Sequence, residues 1–320
     1  MSPEIESFFG DLLTATYFDK TAATETGTLE SQVQVPVVVG TDGLIGAFSK
    51  NFEDEELAVD TQFTIAESFF ELFKSHKKLG REEEMNQDLK QGRRILRVLV
   101  EDYPNPKYVP RINYLLGQFA QELEHWDEAI DAYLSIVRNH PEHGLAPDAQ
   151  YKLAQCYEES GDFEQALEEY VTLAATYPKS PLIANVMLRI CDYFFYQTKN
   201  YPVAANVAEK FTNRFSGHQW APKMAFRIGQ AYHKAEDFKK SAAAFDEFVK
   251  RFPDDELAAY ALFWSGESYR MSNNVPFAFR RFNRCRWDFP ASEAAKSARG
   301  RLSLPEMLAQ FEKEANLDDN

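Results

Sequence analysis

Apolar residues recur at helical spacing through most of the chain, and the pattern restarts at a nearly constant interval. Most intervals end in an aromatic residue or histidine followed by proline, and Phe215-Ser216 occupies the remaining slot. The second members of these pairs stand at positions 104, 141, 178, 216, 253 and 290, so the period is 37 residues with one interval of 38. Such a period predicts repeated copies of one supersecondary unit.

Small residues mark two further positions in each period. One of them lies twelve residues before the proline slot, at Ala129, Ala166, Ala204, Ser241 and Ala278. The other precedes an aromatic residue by three positions in four of the five periods, as Gly229 precedes Tyr232, and Ala120 takes the place of the aromatic residue in the first; a turn separates the two marks. We therefore predict that each period is a helix, a tight turn, a second helix and a proline-terminated loop. One such hairpin cannot bury its apolar faces alone, so the hairpins must stack.

The order of small residue, aromatic residue, turn, small residue, aromatic residue and proline resembles the tetratricopeptide repeat over about residues 105 to 300. Ala208 departs from the pattern, whereas the other repeats carry the second aromatic residue at Tyr133, Tyr170, Phe245 and Phe282. The lengthened period also resembles bacterial envelope repeat proteins, including BamD-like outer-membrane assembly lipoproteins and the Tol–Pal accessory protein. The resemblance implies an all-α, right-handed superhelix of helix-turn-helix repeats, an α-solenoid.

Four segments are predicted along the chain: an acidic arm (1–56), a divergent first hairpin (57–104), five repeats (105–293) and a capping helix with its tail (294–320). In the arm, residues 32–37 alternate as an edge-type strand, and a short amphipathic helix is predicted from Ile5, Phe8, Phe9, Leu12 and Leu13. The arm either packs on the repeats or becomes ordered on a partner chain.

Composition and charge narrow the class of protein. The 320 residues are 44% hydrophobic and 27% charged, which is typical of a globular chain, and no apolar run reaches the ~18 residues of a membrane span. The net charge of −15 argues against a general nucleic-acid or anionic-membrane binder. Because the chain as written has no signal peptide, we expect a cytoplasmic protein, or a periplasmic or outer-membrane-associated one if a leader was removed.

Catalytic and metal-binding motifs are not evident in the sequence. There is no GxGxxG, GxxxxGK, HExxH or GxSxG motif. His140 and His143 share a loop that offers no further metal ligands. Three scattered cysteines, Cys156, Cys191 and Cys285, are too few for a disulfide framework and fall where small side chains pack. We therefore expect a noncatalytic protein without a cofactor or metal.

In tetratricopeptide proteins the first helix of each repeat lines an inner groove, and the resemblance implies the same here. One column of candidate groove residues is mainly aromatic: Tyr114, Tyr151, Leu188, Phe226 and Phe263. The column four residues later is polar: Gln118, Gln155, Asp192, Gln230 and Glu267. A flanking column is mixed: Gln121, Glu158, Phe195, His233 and Arg270. The columns either form a groove for an apolar or amphipathic protein segment, or the aromatic column packs between helices.

Basic residues concentrate near the C-terminus, against the acidic arm at the other end of the sequence. The candidate basic patch comprises Arg280, Arg281, Arg284, Arg286, Arg299 and Arg301. It is a solvated helix face, a docking patch for an acidic protein segment, or a site for nucleic acid or phospholipid headgroups. Contact between this patch and the acidic arm of another molecule would give a homo-oligomer.

The sequence thus predicts a noncatalytic scaffold or adaptor that holds a segment of a protein partner in its concave groove, and the resemblance implies a role in bacterial envelope assembly. Two further functions are compatible with the same residues. The chain could be a self-assembling structural protein, or a repeat platform that is accessory to an enzyme complex.

Overall fold

A computed structural model describes residues 55–105 and 107–318, and all regular secondary structure in these two ranges is helical. The chain divides between Tyr177 and Pro178 into two compact units. Unit 1 contains α1 (Glu55–Leu79), α2 (Glu82–Asp102), α3 (Val109–Glu122), α4 (Trp126–Asn139), α5 (Ala146–Glu159) and α6 (Phe163–Thr176). The helix and strand predicted between residues 5 and 37 lie outside the described residues.

Unit 2 contains the remaining described helices. They are α7 (Ile183–Asp192), a π-helical turn (Tyr193–Gln197), α8 (Tyr201–Arg214), α9 (Ala221–Lys234), α10 (Phe238–Arg251), α11 (Ala258–Met271), α12 (Val275–Asp288), α13 (Glu293–Leu302) and α14 (Pro305–Asp318). Consecutive helices pack as hairpins, and each hairpin packs on the next one within its unit. The prediction of an all-α protein built from helix-turn-helix repeats is confirmed in both units.

A left-handed residue closes the first helix of every repeat. Its φ is 59° at Glu124, 89° at Gly161, 54° at Lys199, 60° at Glu236 and 59° at Asn273. In most repeats the next backbone N–H reaches back to the helix, as Asp237 N donates to the Tyr232 carbonyl oxygen at 2.9 Å. This is the Schellman arrangement, which satisfies carbonyl groups that a helix end otherwise leaves unpaired. The turn residues therefore fix the hairpins through the backbone.

Glycines in the first helices receive aromatic rings from the second helices. A Cβ atom built on Gly117 would lie 2.7 Å from the Tyr133 ring, and one on Gly229 or Gly266 would lie 2.6 Å from the rings of Phe245 or Phe282. The predicted close approach at the small-residue column is thus confirmed for these three hairpins. In the remaining repeats the small position holds Ala154 or Cys191.

One repeat is a residue longer than the others, and the extra residue is accommodated in the helix itself. After Asp192 the first helix of this repeat widens into the π-helical turn, where hydrogen bonds skip one residue further along the chain. The turn holds Phe195 and Tyr196, which project on the same surface as the residues of α7 and α9 described below. The single interval of 38 residues is therefore a local insertion that leaves the hairpin intact.

Apolar side chains form local clusters. One cluster joins α1, α2 and α3 around Phe73, Leu96 and Phe119, and another joins α3, α4 and α5. In unit 2 a larger cluster runs from α9 to α14 and includes Phe245 and Phe282. Because each cluster is built from sequence-neighbouring helices, the packing is that of a repeat protein.

Candidate functional site

The aromatic column contacts the second helix of its own hairpin. The Tyr114 ring lies 5.7 Å from that of Tyr133, centroid to centroid, and Tyr151 lies 5.6 Å from Tyr170. In unit 2 the corresponding distances are 5.2 Å for Phe226–Phe245 and 5.8 Å for Phe263–Phe282. Phe226 and Leu188 are buried, whereas Tyr114, Tyr151 and Phe263 are half-buried. These side chains therefore pack the two helices of a hairpin together, and only three of them reach the surface.

In unit 1 the polar columns satisfy the buried tyrosines. The Tyr133 hydroxyl donates to Gln121 Oε1 at 3.1 Å, and the Tyr170 hydroxyl donates to Glu158 Oε2 at 2.9 Å. Both acceptors stand twelve residues before their donors, so the contact repeats with the hairpin. Gln118 and Gln155 are half-buried between them, and Gln155 Oε1 is buried without a hydrogen bond. These groups stabilise hairpins and leave little polar surface exposed.

In unit 2 the polar columns join one repeat to the next. Asp192 Oδ1 on α7 accepts from Arg227 on α9 at 3.1 Å. Glu267 on α11 accepts from Arg270 at 3.0 Å and from Arg301 on α13 at 2.5 Å. Because the Asp192 and Glu267 side chains are largely enclosed, these ion pairs hold successive first helices in register.

Arg227 packs against two aromatic rings of the π-helical turn. Its guanidinium carbon is 4.3 Å from the centroid of the Phe195 ring and 4.7 Å from that of Tyr196, and Nη1 donates to the Tyr196 hydroxyl at 2.8 Å. Arg227 is buried, so the cation is compensated by Asp192 and by the faces of the two rings. Tyr196 itself stays 57% exposed. The insertion thus fixes an exposed tyrosine on the surface of the first helices.

A second exposed cluster lies on α11, along one helical stripe. Tyr260 and Met271 are 41% and 49% exposed, and Trp264 lies between them, half-buried against the His233 ring at 5.0 Å. Residues four, seven and eleven positions apart share one face of a helix. The same stripe on α9 holds Lys223, Arg227, Gln230 and Lys234. We define the first-helix face of unit 2 by Tyr196, Lys223, Arg227, Gln230, Lys234, Tyr260, Trp264, Glu267 and Met271.

Sequence reasoning missed part of this face. Gln230, Glu267 and the neighbouring His233 stood among the candidate residues, whereas Arg227, Trp264 and the exposed Tyr196, Tyr260 and Met271 did not. Arg227 and Trp264 recur at the repeat interval as neighbours of the aromatic column, so the periodicity could have found them. Exposure of the other three depends on the neighbouring helices.

His233 and Ser268 resemble a catalytic pair only by distance. His233 Nδ1 lies 3.1 Å from Ser268 Oγ, and burial lowers the pKa of the imidazole. Ser268 Oγ also lies 2.8 Å from Ser241 Oγ, and both serines are fully buried. A nucleophile must reach its substrate, so this arrangement serves packing. Among the described residues, no three or more His, Cys, Asp or Glu side chains cluster as a metal site would require.

The three cysteines are free thiols inside the helix packing. Burial raises the pKa of the Cys156 and Cys191 thiols to about 12 and that of Cys285 to about 11. The thiolate, which is the reactive form, is therefore scarce at neutral pH. Their burial agrees with the prediction that the cysteines fall where small side chains pack.

The candidate basic patch is divided by ion pairs. Arg281 on α12 binds Asp246 on α10 through Nε at 2.6 Å and Nη2 at 2.8 Å. Arg301 binds Glu267, and Arg284 binds Asp288 at 2.9 Å. Arg299 donates to the Pro290 carbonyl oxygen at 2.5 Å. The patch is thus several guanidinium groups with different partners, and its exposed members include Arg280 and Arg284 on α12.

Asp246 is the most fully bonded carboxylate of this region. Burial acts to raise its pKa, but hydrogen bonds from Arg281, Ser265 and Tyr269 prevail and hold the pKa below its usual range. The bidentate geometry with Arg281 is the strong form of this pair. Asp246 and Arg281 therefore join the second helices α10 and α12 and serve the fold.

Two family models match the chain. The tetratricopeptide repeat matches residues 114–181, and a family described as outer membrane lipoprotein matches residues 192–316. No curated protein shows significant similarity to the chain. No helix in the described part of the chain combines the length and apolarity of a membrane span.

Several solved structures are similar to the chain. The C-terminal part of a TPR repeat-containing protein from Cytophaga hutchinsonii is 15% identical, with 73% of this chain and 83% of that one covered, at a TM-score of 0.51. A tetratricopeptide repeat protein from Parabacteroides merdae is 18% identical, with 78% of this chain and 89% of that one covered, at a TM-score of 0.45. The structure of pilF from Pseudomonas aeruginosa is 13% identical, with 75% of this chain and 99% of that one covered, at a TM-score of 0.44.

The Cytophaga structure shares the helical-repeat fold, and the matched ranges lie within the series of helical hairpins described above. The resemblance to tetratricopeptide and BamD-like repeats is therefore confirmed. The chain is built from helical-hairpin repeats, of which residues 114–181 match the tetratricopeptide repeat and residues 192–316 are similar to the outer membrane lipoprotein family.

Proposed function

We propose that the chain is a noncatalytic scaffold that binds an amphipathic segment of a protein partner on the first-helix face of unit 2. The observation that carries this proposal is the exposure of Tyr196, Tyr260 and Met271 on a surface where Arg227 and Glu267 are held by ion pairs. Large apolar side chains at such positions bury area at little entropic cost when a partner docks.

The fixed ion pairs prepare this face for binding. Because Arg227 and Glu267 are held by partners on neighbouring helices, a segment that docks beside them meets side chains whose rotamers are already set. Preorganised contacts lose less entropy on binding than mobile ones. The exposed Lys223 and Lys234 add positive charge to this surface, so the face favours a segment that carries acidic residues beside its apolar ones.

The proposed site is smaller than the groove expected from sequence, which also included first-helix residues of unit 1, and it uses the aromatic column differently. Of the aromatic column, Phe226 is buried and Phe263 is half-buried against Phe282, so in unit 2 the column supports the face from beneath. Gln230, His233, Glu267 and Arg270, which are candidate groove residues, lie on the same first helices as this face. Tyr196, Tyr260, Trp264 and Met271 supply the apolar contacts.

The family match bears on where the scaffold acts. The matching family is described as outer membrane lipoprotein, so it favours a location at the bacterial envelope over the cytoplasmic location expected from the chain as written. We propose that the partner is a protein of the envelope. Fractionation of the native organism, followed by immunoblotting of cytoplasmic, periplasmic and membrane fractions, tests this location directly.

Binding at the face is tested with peptides selected on the full chain. Random peptides displayed on phage are panned against the protein, and fluorescein-labelled copies of the enriched sequences are titrated by anisotropy. We expect acidic, aromatic-containing peptides with micromolar Kd, and we expect the double variant Tyr260→Ala/Met271→Ala to bind at least tenfold more weakly. Leu308→Ala, which removes an exposed leucine on α14, is the matched control and should leave Kd unchanged.

Two results would contradict the proposal. Enriched peptides whose Kd is the same for the double variant and for the wild type would place binding elsewhere on the molecule. A panning experiment in which no sequence is enriched above background would argue against a peptide-binding face. Circular dichroism of each variant establishes that the hairpins are folded before Kd values are compared.

A further inference from the structure

The outer surface of α12 carries an exposed stripe of aromatic and cationic residues. Phe277, Arg280, Arg284 and Trp287 are spaced three, four and three positions apart, which places them on one face of the helix. We call these four residues the α12 stripe. Trp287 is 71% exposed and Phe277 is 42% exposed. The stripe lies on a second helix, whereas the first-helix face is built from the π-helical turn, α9 and α11, so the two surfaces are separate.

Guanidinium groups flank both aromatic rings of the stripe. The Arg280 guanidinium carbon lies 5.8 Å from the Phe277 ring centroid, and that of Arg286 lies 4.8 Å from the Trp287 ring. Arg284 pairs with Asp288 at 2.9 Å, but both side chains are about half exposed. Such an exposed pair contributes little to stability, so another carboxylate can replace Asp288 at small cost.

Tryptophan and arginine are the residue types that dominate binding energy at protein interfaces. An exposed Trp287 beside Arg280 and Arg284 therefore fits a partner that offers carboxylates and apolar side chains together. Asp288 is the only acidic residue of α12, so this helix offers little charge that would repel the carboxylates of such a partner. The chemistry of the partner is thus that of an acidic amphipathic segment.

This chain contains such a segment. Residues 1–54 hold nine acidic residues against Lys20 and Lys50, a net charge of −7. Between positions 4 and 13, three acids alternate with an apolar series of helical spacing: Glu4, Glu6 and Asp11 stand among Ile5, Phe8, Phe9, Leu12 and Leu13. The charge and the apolar residues both complement the α12 stripe.

We propose that the α12 stripe binds residues 4–13 of a second copy of this chain. The acidic arm and the α12 stripe stand at opposite ends of the sequence and carry opposite charge, so one copy can offer its arm to the stripe of another. The two surfaces of this contact differ, so each copy offers one arm and one stripe. Head-to-tail contacts of this kind extend into open assemblies when they do not close into a ring.

The experiment is sedimentation velocity of the full chain from 1 to 200 µM at low and high salt. We expect association that weakens at least tenfold from 50 to 500 mM NaCl, because the contact is between exposed charges. The stripe variant Arg280→Glu/Arg284→Glu and the arm variant Glu4→Lys/Glu6→Lys/Asp11→Lys should each be monomeric at 200 µM. A mixture of the two variants should associate again, since each arm then meets a stripe of opposite charge.

The mixture separates contact between copies from contact within one copy. Restored association supports the proposal, whereas two variants that stay monomeric together overturn it. Wild type that is monomeric at 200 µM in low salt also overturns it, as does a stripe variant that associates like the wild type. Trp287→Ala should weaken association at least tenfold, and Leu308→Ala is its control.

A membrane outcome is distinguished in the same series. Cosedimentation with phosphatidylglycerol vesicles that is lost in the stripe variant, while self-association is unchanged, would assign the stripe to a lipid surface and overturn the proposal. The double variant Tyr260→Ala/Met271→Ala should associate like the wild type, because its substitutions lie on the first-helix face. Failure of peptide binding at that face therefore leaves the test of the α12 stripe intact.

Discussion

Replacing Gly229 by alanine tests the close packing of first and second helices within a hairpin. A Cβ atom at Gly229 would lie 2.6, 2.7 and 2.7 Å from three carbon atoms of the Phe245 ring. Ordinary contact between carbon atoms begins near about 3.4 Å, so the ring or the helix must move by roughly 0.8 Å. Phe245 is fully buried and its ring lies 5.2 Å from that of Phe226, centroid to centroid, so the ring has little room to yield.

Two effects of opposite sign determine how much Gly229→Ala changes the free energy of unfolding. Overpacking of this kind costs about 1–3 kcal/mol, whereas alanine in place of glycine in a helix gains about 1 kcal/mol. Gly300 on α13 provides the matched control, because nothing lies within 4 Å of a Cβ atom built there and only the favourable effect remains. The free energies of unfolding of Gly229→Ala and Gly300→Ala should therefore differ by about 1–3 kcal/mol, with Gly229→Ala the less stable.

Thermal unfolding followed by circular dichroism measures the difference. For a unit of this size, about 1 kcal/mol corresponds to roughly 2–4 °C in Tm. We expect Gly229→Ala to unfold several degrees below Gly300→Ala, and Phe245→Leu to recover part of the loss when combined with Gly229→Ala. Equal Tm values for the two glycine variants would refute the packing argument.

Three other substitutions test the charged contacts and the turns. Arg227→Leu leaves Asp192 without its partner and should lower the free energy of unfolding by about 2–3 kcal/mol in chemical denaturation, whereas Lys250→Leu, in an exposed pair, should change it by less than about 0.5 kcal/mol. Folding lowers the pKa of Asp246, so the stability that this carboxylate contributes is present above its unfolded pKa of about 3.9 and is lost as pH falls through the folded pKa. Asp246→Asn should therefore be less stable than the wild type at pH 6. Between pH 5 and 3 it should lose less stability than the wild type does. Gly161→Ala places a side chain at φ 89° and should lower the free energy of unfolding by about 1 kcal/mol, which a lower Tm would show. Gly144→Ala, in a loop without positive φ, is the control and should not lower Tm.

The first-helix face shows where sequence reasoning reached its limit. The repeat interval predicts that the three columns lie on the first helices, and their residues lie there, with Phe195 in the π-helical turn that follows α7. Whether a side chain at such a position is buried depends on the residue that faces it: Phe226 is covered by Phe245 and Phe248, whereas Tyr260 on the neighbouring first helix is exposed. Periodicity gives the position along a helix, but exposure depends on the contacts between helices.

The basic patch illustrates the same limit for charge. Counting residues 270–301 gives an excess of positive charge, which by itself is compatible with a docking patch for an acidic segment. Arg281 and Arg301 instead bind Asp246 and Glu267, which are 35 and 34 residues away in sequence. A separation of nearly one repeat places such residues on adjacent hairpins, so the pairing was implicit in the period, but the side-chain geometry that joins them was not.

The sequence by itself determined that the chain folds into helical hairpins, and it identified the small residues that let their helices approach. These features follow from local rules of helix periodicity, turn conformation and side-chain size, which act within one period of the chain. Only the tertiary structure decided which aromatic side chains face solvent, which arginines are bound to carboxylates, and that the extra residue of one repeat forms a π-helical turn beside Arg227. Those outcomes depend on contacts between helices, such as the ion pairs of Arg281 and Arg301 with carboxylates 35 and 34 residues away in sequence.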